Sequence, residues 1–188
     1  MIEFSSQIST SLYFSNASDQ YIQELFSVLN SQSHNWTPSD ISIPRDYAVL
    51  EHLTFTFQIN APVYVFRALM QERFLSYYPN PGINRVFSGK FFIPDWEPKT
   101  IQNNIIDACR VAYKKYQEML EISSPEISRL VLPINTYSDM LVTLDLKEVI
   151  RFLEFLKSSE SKELTTIMHQ IINIIKDTIP ITFRFFNL

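Results

Sequence analysis

Residues Glu51 to Pro94 read EHLTFTFQINAPVYVFRALMQERFLSYYPNPGINRVFSGKFFIP, and the reading of this stretch decides the fold. Leu53, Phe55, Phe57 and Ile59 alternate with Thr54, Thr56, Gln58 and Asn60. Successive side chains of a strand point to opposite faces, so this pattern predicts a half-buried strand with a polar second face. Pro62 follows Ala61 and suits the first turn of a helix, where its missing N–H is not needed. Val63, Phe66, Leu69, Met70 and Phe74 continue at helical spacing. Tyr78-Pro-Asn-Pro-Gly82 cannot be helical, because each proline removes a donor and clashes with the preceding turn. Val86 to Ile93 reads as a second strand that Pro94 closes.

Outward from this core, Ser5 to Phe14 is Ser/Thr-rich and suits a short edge strand. Ala17 to Leu29 has amphipathic helical spacing, with Asp19 at the positive end of the helix dipole. Ser31 to Arg45 is polar, contains two prolines and reads as a loop, in which His34 and Trp36 suit packing better than function. Tyr47 to Leu53 fits either a helix ending near His52 or the start of the strand. Asn103 to Glu121 predicts a helix with Ile105, Ile106, Cys109, Tyr113, Tyr116 and Leu120 on one face. Ser124 and Pro125 predict an N-cap and first helical residue, and Arg129 to Pro133 ends that short helix. Met140 to Leu144 is strand-like. Asp145 with Glu148 forms a capping-box pattern before the helix of Val149, Ile150, Leu153 and Leu156. Lys162 to Ile175 predicts a last helix.

With 188 residues, 46 % of them hydrophobic, the chain can bury one sizeable core, and residues 1–188 are expected to form a single domain. The net charge of −4, without long basic runs, argues against a nucleic-acid partner. Two glycines in all exclude a Gly-rich phosphate cradle, leaving side chains or helix N-termini to hold any phosphate. The single Cys109 allows no internal disulfide and favours a reducing, cytoplasmic setting. MIEFSSQISTS lacks the basic and apolar regions of a signal peptide, and no apolar run reaches the length of a membrane span. The histidines at 34, 52 and 169 stand on separate elements without ligand spacing, so no metal site is expected. Cys109 on an apolar helix face reads as core, and no G-x-S-x-G motif occurs.

Three blocks in order carry a family resemblance over roughly two-thirds of the chain. Glu51-His-Leu-Thr-Phe-Thr-Phe57 with Ala61-Pro62 matches an E-H-x-x-F-x-F strand and its Ala-Pro helix start. Pro125-Glu-Ile-Ser-Arg129-Leu-Val-Leu-Pro133 matches P-x-x-A-R-x-x-L-P. Thr143-Leu-Asp145-Leu-Lys147 with Phe152-Leu153 is similar to T-x-N-x-R…F-L. The chain thus resembles the flavin-dependent thymidylate synthases of the ThyX type, as a divergent member. The resemblance implies an α/β (α+β) fold, a central twisted and mainly antiparallel sheet flanked by helices. It also implies a homotetramer whose flavin and nucleotide sites form between subunits. In the family, FAD carries a one-carbon unit from methylenetetrahydrofolate to C5 of dUMP, with NADPH as reductant.

The family signature R-H-R-x-x-S-x-N-E-x-S-x-R-Y falls on Gln71 to Asn84, where Arg73 and Ser76 match it. The leading Arg-His pair is Gln71-Glu72, the glutamate is Pro79, the serine beside the uracil is Pro81, and the phosphate-gripping arginine is Ile83. Replacing arginine with isoleucine removes a charge and five donors that a phosphate dianion uses. Carried over by position, His52, Arg73, Ser76, Lys147 and Lys157 are the cofactor-side candidates and Arg129 a nucleotide-side one, joined there by Arg67 as a cation remaining around the inferred site. No catalytic residue is assigned. His52 suits a structural histidine equally well, and Arg129 a helix-end ion pair. Arg73 and Ser76, without their motif partners, fit structural roles better. Glu72 fits a solvated or ion-paired residue. Three readings of function stay open: an active enzyme with an altered uridine nucleotide substrate, a catalytically inactive relative kept for binding, regulation or assembly, with Tyr77 to Asn84 as a contact surface, or a flavin-free ligand-binding domain.

Overall fold

The computed structural model describes residues 1–30, 50–71, 76–79, 86–158 and 160–185. The expected loop from Ser31 to Arg45, and most of Gln71 to Asn84, lie outside them. The described chain runs β1 (Glu3–Ser5), β2 (Ser9–Ser15), α1 (Asp19–Asn30), β3 (Thr54–Pro62), α2 (Val63–Leu69), β4 (Ser76–Pro79), β5 (Lys90–Phe92) and α3 (Lys99–Leu120). It continues through α4 (Pro125–Ser128), a 3-10 turn (Arg129–Val131), β6 (Tyr137–Asp145), α5 (Leu146–Ser158), α6 (Lys162–Thr178) and α7 (Pro180–Phe185). Four strands form one antiparallel sheet in the order β2-β3-β6-β4, with helices beside it. The expected mixed fold is present. β1 and β5 form a separate parallel pair, in which Phe4 stands opposite Phe91.

Contacts divide the chain into two compact units, one of Met1–Ser9, Asn60–Glu72 and Tyr78–Met140, the other of Thr10–Ile59, Arg73–Tyr77 and Leu141–Leu188. In the second unit the alternation of β3 does what the sequence demands. Leu53, Phe55, Phe57 and Ile59 are fully buried, while Thr54 and Thr56 on the other face are only partly covered. The Phe55 and Phe57 rings stack with centroids 6.0 Å apart. Val142 and Leu144 of β6 are buried, as are Val149, Phe152 and Leu153 of α5 and Leu164, Ile167, Ile171 and Ile175 of α6. Register between β3 and β6 is pinned on the polar face, where the Thr56 and Thr143 hydroxyls are 2.9 Å apart. In the first unit Asn60 Nδ2 donates to Asp139 Oδ1 at 2.9 Å. The higher-numbered residue of one strand meets the lower of the other, as antiparallel pairing requires.

The first unit is built on α3. Cys109 and Tyr116 are buried with Phe87 and Phe91, and Ile105, Tyr113 and Leu120 pack around them. Phe87 meets Phe91, Tyr113 and Tyr116 edge-on, at centroid separations of 5.2, 6.2 and 6.0 Å. Edge-to-face contact suits the ring quadrupole.

Several boundaries differ from those expected. Pro62 is the last residue of β3, extended at φ −67° and ψ 149°, so the helix starts one residue later. That helix stops at Leu69 instead of continuing to Phe74. The expected strand over Val86 to Ile93 shrinks to Lys90–Phe92, because Gly89 takes φ +87° and turns the chain. Asp19 lies in the first turn of α1 as expected, but its carboxylate also accepts from the Ile181 and Thr182 amides at 3.0 Å each. It caps α7.

Candidate functional site

The end of the β3–β6 pair in the second unit gathers several charged side chains, among them Glu51, Lys147, Glu148 and Arg151. The Leu146 amide donates to the Leu53 carbonyl at 2.8 Å, fixing the start of α5 against the start of β3. Asn16, just after β2, ties down the turn before β3. Its Nδ2 donates to the His52 carbonyl at 2.9 Å, and its Oδ1 accepts from the Thr54 amide at 2.7 Å. His52 is thereby held at the mouth of the strand, exposed, with no hydrogen bond to its imidazole among the described residues.

Lys147 opens α5 and its Nζ donates to Glu51 Oε1. That contact, with the ammonium charge, holds the Glu51 carboxyl below its ordinary range; His52 and Arg151 add to it. Asp145 and Glu148 complete the capping box read in the sequence. The Asp145 amide donates to Glu148 Oε2 at 3.2 Å and the Glu148 amide to Asp145 Oδ1 at 2.8 Å. Burial pushes the Glu148 carboxyl up, against the backbone hydrogen bond and Arg151, which draw it down. Lys147, Arg151 and His52 therefore stand with Glu51, Asp145 and Glu148 at one strand end. Such a set can take an anion once a carboxylate gives way.

Other candidates stand elsewhere. Ser76 is exposed at the start of β4, and Lys157 is exposed near the end of α5. Neither is linked to His52 or Lys147 by a hydrogen bond among the described residues. Arg73 and Glu72 lie outside those residues. In the first unit Arg67 is exposed in the last turn of α2. Arg129 stands with its guanidinium 5.8 Å from the Phe87 ring centroid, a cation–π geometry. The element carrying it is set by the Ser124 cap, whose Oγ accepts from the Ile127 amide at 3.4 Å, with Pro125 as first helical residue.

The first unit also holds an open, mostly apolar cavity of about 510 Å³, lined among others by Tyr64, Phe92, Asn104, Cys109, Ile134 and Asn135. Burial raises the Cys109 thiol above its ordinary value. Asn135 Nδ2 donates to the Phe92 carbonyl at 2.8 Å and lies 3.3 Å from the sulfur. A buried thiol whose deprotonation is disfavoured is a poor nucleophile. Among the described residues no three His, Cys, Asp or Glu side chains are placed to hold a metal ion. No helix among them is long and apolar enough to cross a membrane.

The model of the family described as thymidylate synthase complementing protein matches residues 11–181. The chain belongs to this family. It is 28 % identical over 146 residues to a flavin-dependent thymidylate synthase of Thermotoga neapolitana, covering 72 % of this chain and 68 % of that one. It is 30 % identical over 131 residues to the flavin-dependent thymidylate synthase of Tropheryma whipplei strain TW08/27, covering 58 % of this chain and 55 % of the relative. The chain thus spans little more than half of that relative. Among solved structures it resembles a UMP/dUMP methylase, PolB from Streptomyces cacaoi bound with 5-Br UMP, at TM-score 0.84 and 24 % identity. That likeness covers 98 % of this chain and 96 % of the other, and is one of fold.

Within the family frame, the structure adds residues that the sequence pattern did not single out. Glu51 is quoted in the first block only as a motif letter, yet it is the partner of Lys147. Asn16 comes from a polar stretch with no motif, and its role is visible only once β2 and β3 are paired. Arg151 belongs to none of the matched motif positions, and its charge reaches both Glu51 and Glu148.

Proposed function

We propose that this chain is a flavin-dependent enzyme of the thymidylate synthase type, transferring a one-carbon unit to C5 of a uridine nucleotide. The observation that carries the reading is the family match over residues 11–181, which includes both strand ends that hold His52 and Lys147. The donor set fits a flavin nucleotide in kind: cationic Lys147 and Arg151 with an exposed imidazole can face a diphosphate. The flavin, when bound, supplies the redox capacity of the reaction; folate and NADPH enter only if the family's full cycle is kept. The chain's own work is binding and orientation. Lys147 offers a mobile point charge and His52 a ring N–H, while Arg67 and Arg129 are the cations left for the nucleotide. Assembly as a homotetramer in the cytoplasm completes this reading.

A second reading, a relative that binds without catalysis, is favoured by one specific observation. Gln71, Glu72, Pro79, Pro81 and Ile83 stand where the signature has an arginine, a histidine, a glutamate, a serine and an arginine. Two measurements separate the readings. Purified protein is examined for flavin absorbance and for quenching of FAD fluorescence on titration. Tritium release from C5-labelled dUMP and UMP then reports replacement of the C5 hydrogen. Flavin binding with release supports the enzyme; flavin binding without release supports the binding relative. A colourless protein that leaves FAD fluorescence unchanged overturns the flavin reading.

A further inference from the structure

At Asn16 the chain leaves β2 for α1, and the Asn16 side chain takes over where the strand ladder stops. The Asn16 backbone amide still donates to the Thr54 carbonyl at 3.3 Å, as an antiparallel rung requires. The return bond goes to the side chain instead. The Thr54 amide donates to Asn16 Oδ1 at 2.7 Å, and the Thr54 hydroxyl donates to the same oxygen at 3.1 Å. Ser15 Oγ also donates to the Thr54 carbonyl, at 3.0 Å, and accepts from the amide of buried Ala17 at 2.9 Å. The start of β3 is thus held by several groups, none of which is Asn16 Nδ2.

Nδ2 serves a different peptide. It donates to the His52 carbonyl at 2.9 Å, outside β3, which begins at Thr54. That carbonyl shares a peptide plane with the Leu53 amide, which donates to the Leu50 carbonyl at 3.2 Å. A peptide unit is planar and stiff, so holding both its ends sets ψ of His52 and φ of Leu53. Glu51 and His52 lie in the turn fixed in this way, and Glu51 pairs with Lys147. Only an amide serves both peptides from one short arm, because a carboxylate accepts but cannot donate.

We propose that Asn16 is a positioning residue of the flavin site: through the His52 carbonyl it presets the turn that carries Glu51 and His52 beside Lys147. The cofactor half of this assignment rests on the flavin reading given above. A turn ordered before the cofactor arrives need not be ordered at the expense of binding, so presetting it raises affinity.

Asn16→Asp separates the two duties of the side chain, since it keeps an acceptor for Thr54 and removes the donor to His52. Asn16→Ala removes both. Ser18→Asp is the charge control: Ser18 caps α1 by accepting from the Tyr21 amide at 3.0 Å, a role that aspartate fills equally well. Single-residue amide exchange and FAD fluorescence quenching are measured on the wild type and each variant, with urea midpoints to check folding. In Asn16→Asp the Leu53 amide is expected to exchange about tenfold faster while the Thr54 amide keeps its protection. FAD is expected to bind Asn16→Asp about tenfold more weakly than it binds Ser18→Asp. In Asn16→Ala both amides are expected to quicken. Unchanged Leu53 exchange in Asn16→Asp overturns the proposal, because the turn is then held without Nδ2. So does an FAD affinity equal to that of Ser18→Asp. Should Asn16→Asp fail to fold, Asn16→Ala is judged by the same Leu53 exchange and FAD affinity. A wild type that binds no FAD overturns the flavin reading instead, and Leu53 exchange alone then decides whether Asn16 sets the turn.

Discussion

Lys147, at the first turn of α5, is hydrogen-bonded and ion-paired to Glu51, the residue before His52. The cation that family position assigns to the flavin is therefore engaged by a neighbouring carboxylate. Both side chains keep contact with solvent, Lys147 at 27 % and Glu51 at 49 % exposure, so the pair is exchangeable and not a buried lock.

An exchangeable pair makes opposite predictions for its two members. Lys147→Ala removes the charge that a diphosphate would meet, and FAD affinity is expected to fall about tenfold, near 1.4 kcal/mol. Glu51→Gln leaves Lys147 free of its competitor, and FAD is expected to bind up to about fivefold tighter, the scale of an exposed ion pair. Fluorescence quenching titrations measure both. Weaker binding in Glu51→Gln would mean that the carboxylate orients Lys147 instead of competing for it.

The carboxylates at this strand end respond to acid in opposite senses. Glu51 is held below its ordinary range by Lys147, so its pair contributes above the unfolded carboxylate pKa and is lost as pH falls through the lower folded value. Glu148 is raised by burial, so the folded chain binds more protons between the ordinary and the raised value, and stability declines as pH rises through that window. Glu148→Gln keeps an acceptor for the Asp145 amide and removes this decline. Urea midpoints between about pH 4 and 7 are expected to flatten on that limb relative to wild type. Asp145→Ala, which removes the cap itself, is expected to cost about 1 kcal/mol at every pH in the series.

These local devices show how far the sequence could be read. The capping box was legible because Asp145 and Glu148 are three residues apart and bond to each other's backbone. β3 was legible because Phe55, Phe57 and Ile59 obey a period of two and one face is fully buried. The strand expected over Val86 to Ile93 was drawn too long because apolar composition does not reveal that Gly89 turns the chain. The Lys147–Glu51 pair and the Asn16 clamp were invisible because they join residues 96 and 36 positions apart, which no local spacing encodes. Family position named His52 and Lys147, and the fold brings both to one end of the β3–β6 pair.

Gly89 offers a test of backbone necessity. Its φ of +87° lies where L side chains are strained, and a Cβ there would collide with the Met1 carbonyl oxygen and crowd the Tyr113 ring. Its own carbonyl accepts from the Glu3 amide at 2.9 Å, which joins β1 to the turn. Gly89→Ala is expected to cost about 2 kcal/mol, the scale of a left-handed non-glycine residue, and to lower Tm by about 4–8 °C. Differential scanning calorimetry checks this. An unchanged Tm would show that the turn can be remade with negative φ.

Asp19 and Thr182 provide the longest-range test in the second unit. Asp19 Oδ1 accepts from both the Thr182 amide, at 3.0 Å, and the Thr182 hydroxyl, at 2.7 Å, while Oδ2 accepts from the Ile181 amide. Thr182 is fully buried, so loss of the carboxylate leaves a hydroxyl and an amide without their acceptor. Unsatisfied buried groups of this kind cost about 1–3 kcal/mol. Asp19→Ala is therefore expected to destabilise by about 2 kcal/mol and to release α7 first, seen as faster amide exchange over Ile181 to Phe183 before any change in β3. Asp19→Asn keeps one acceptor oxygen and is expected to recover about half of the loss. Equal loss in the two variants would show that the negative charge, acting on the N-terminus of α7, matters more than the hydrogen bonds.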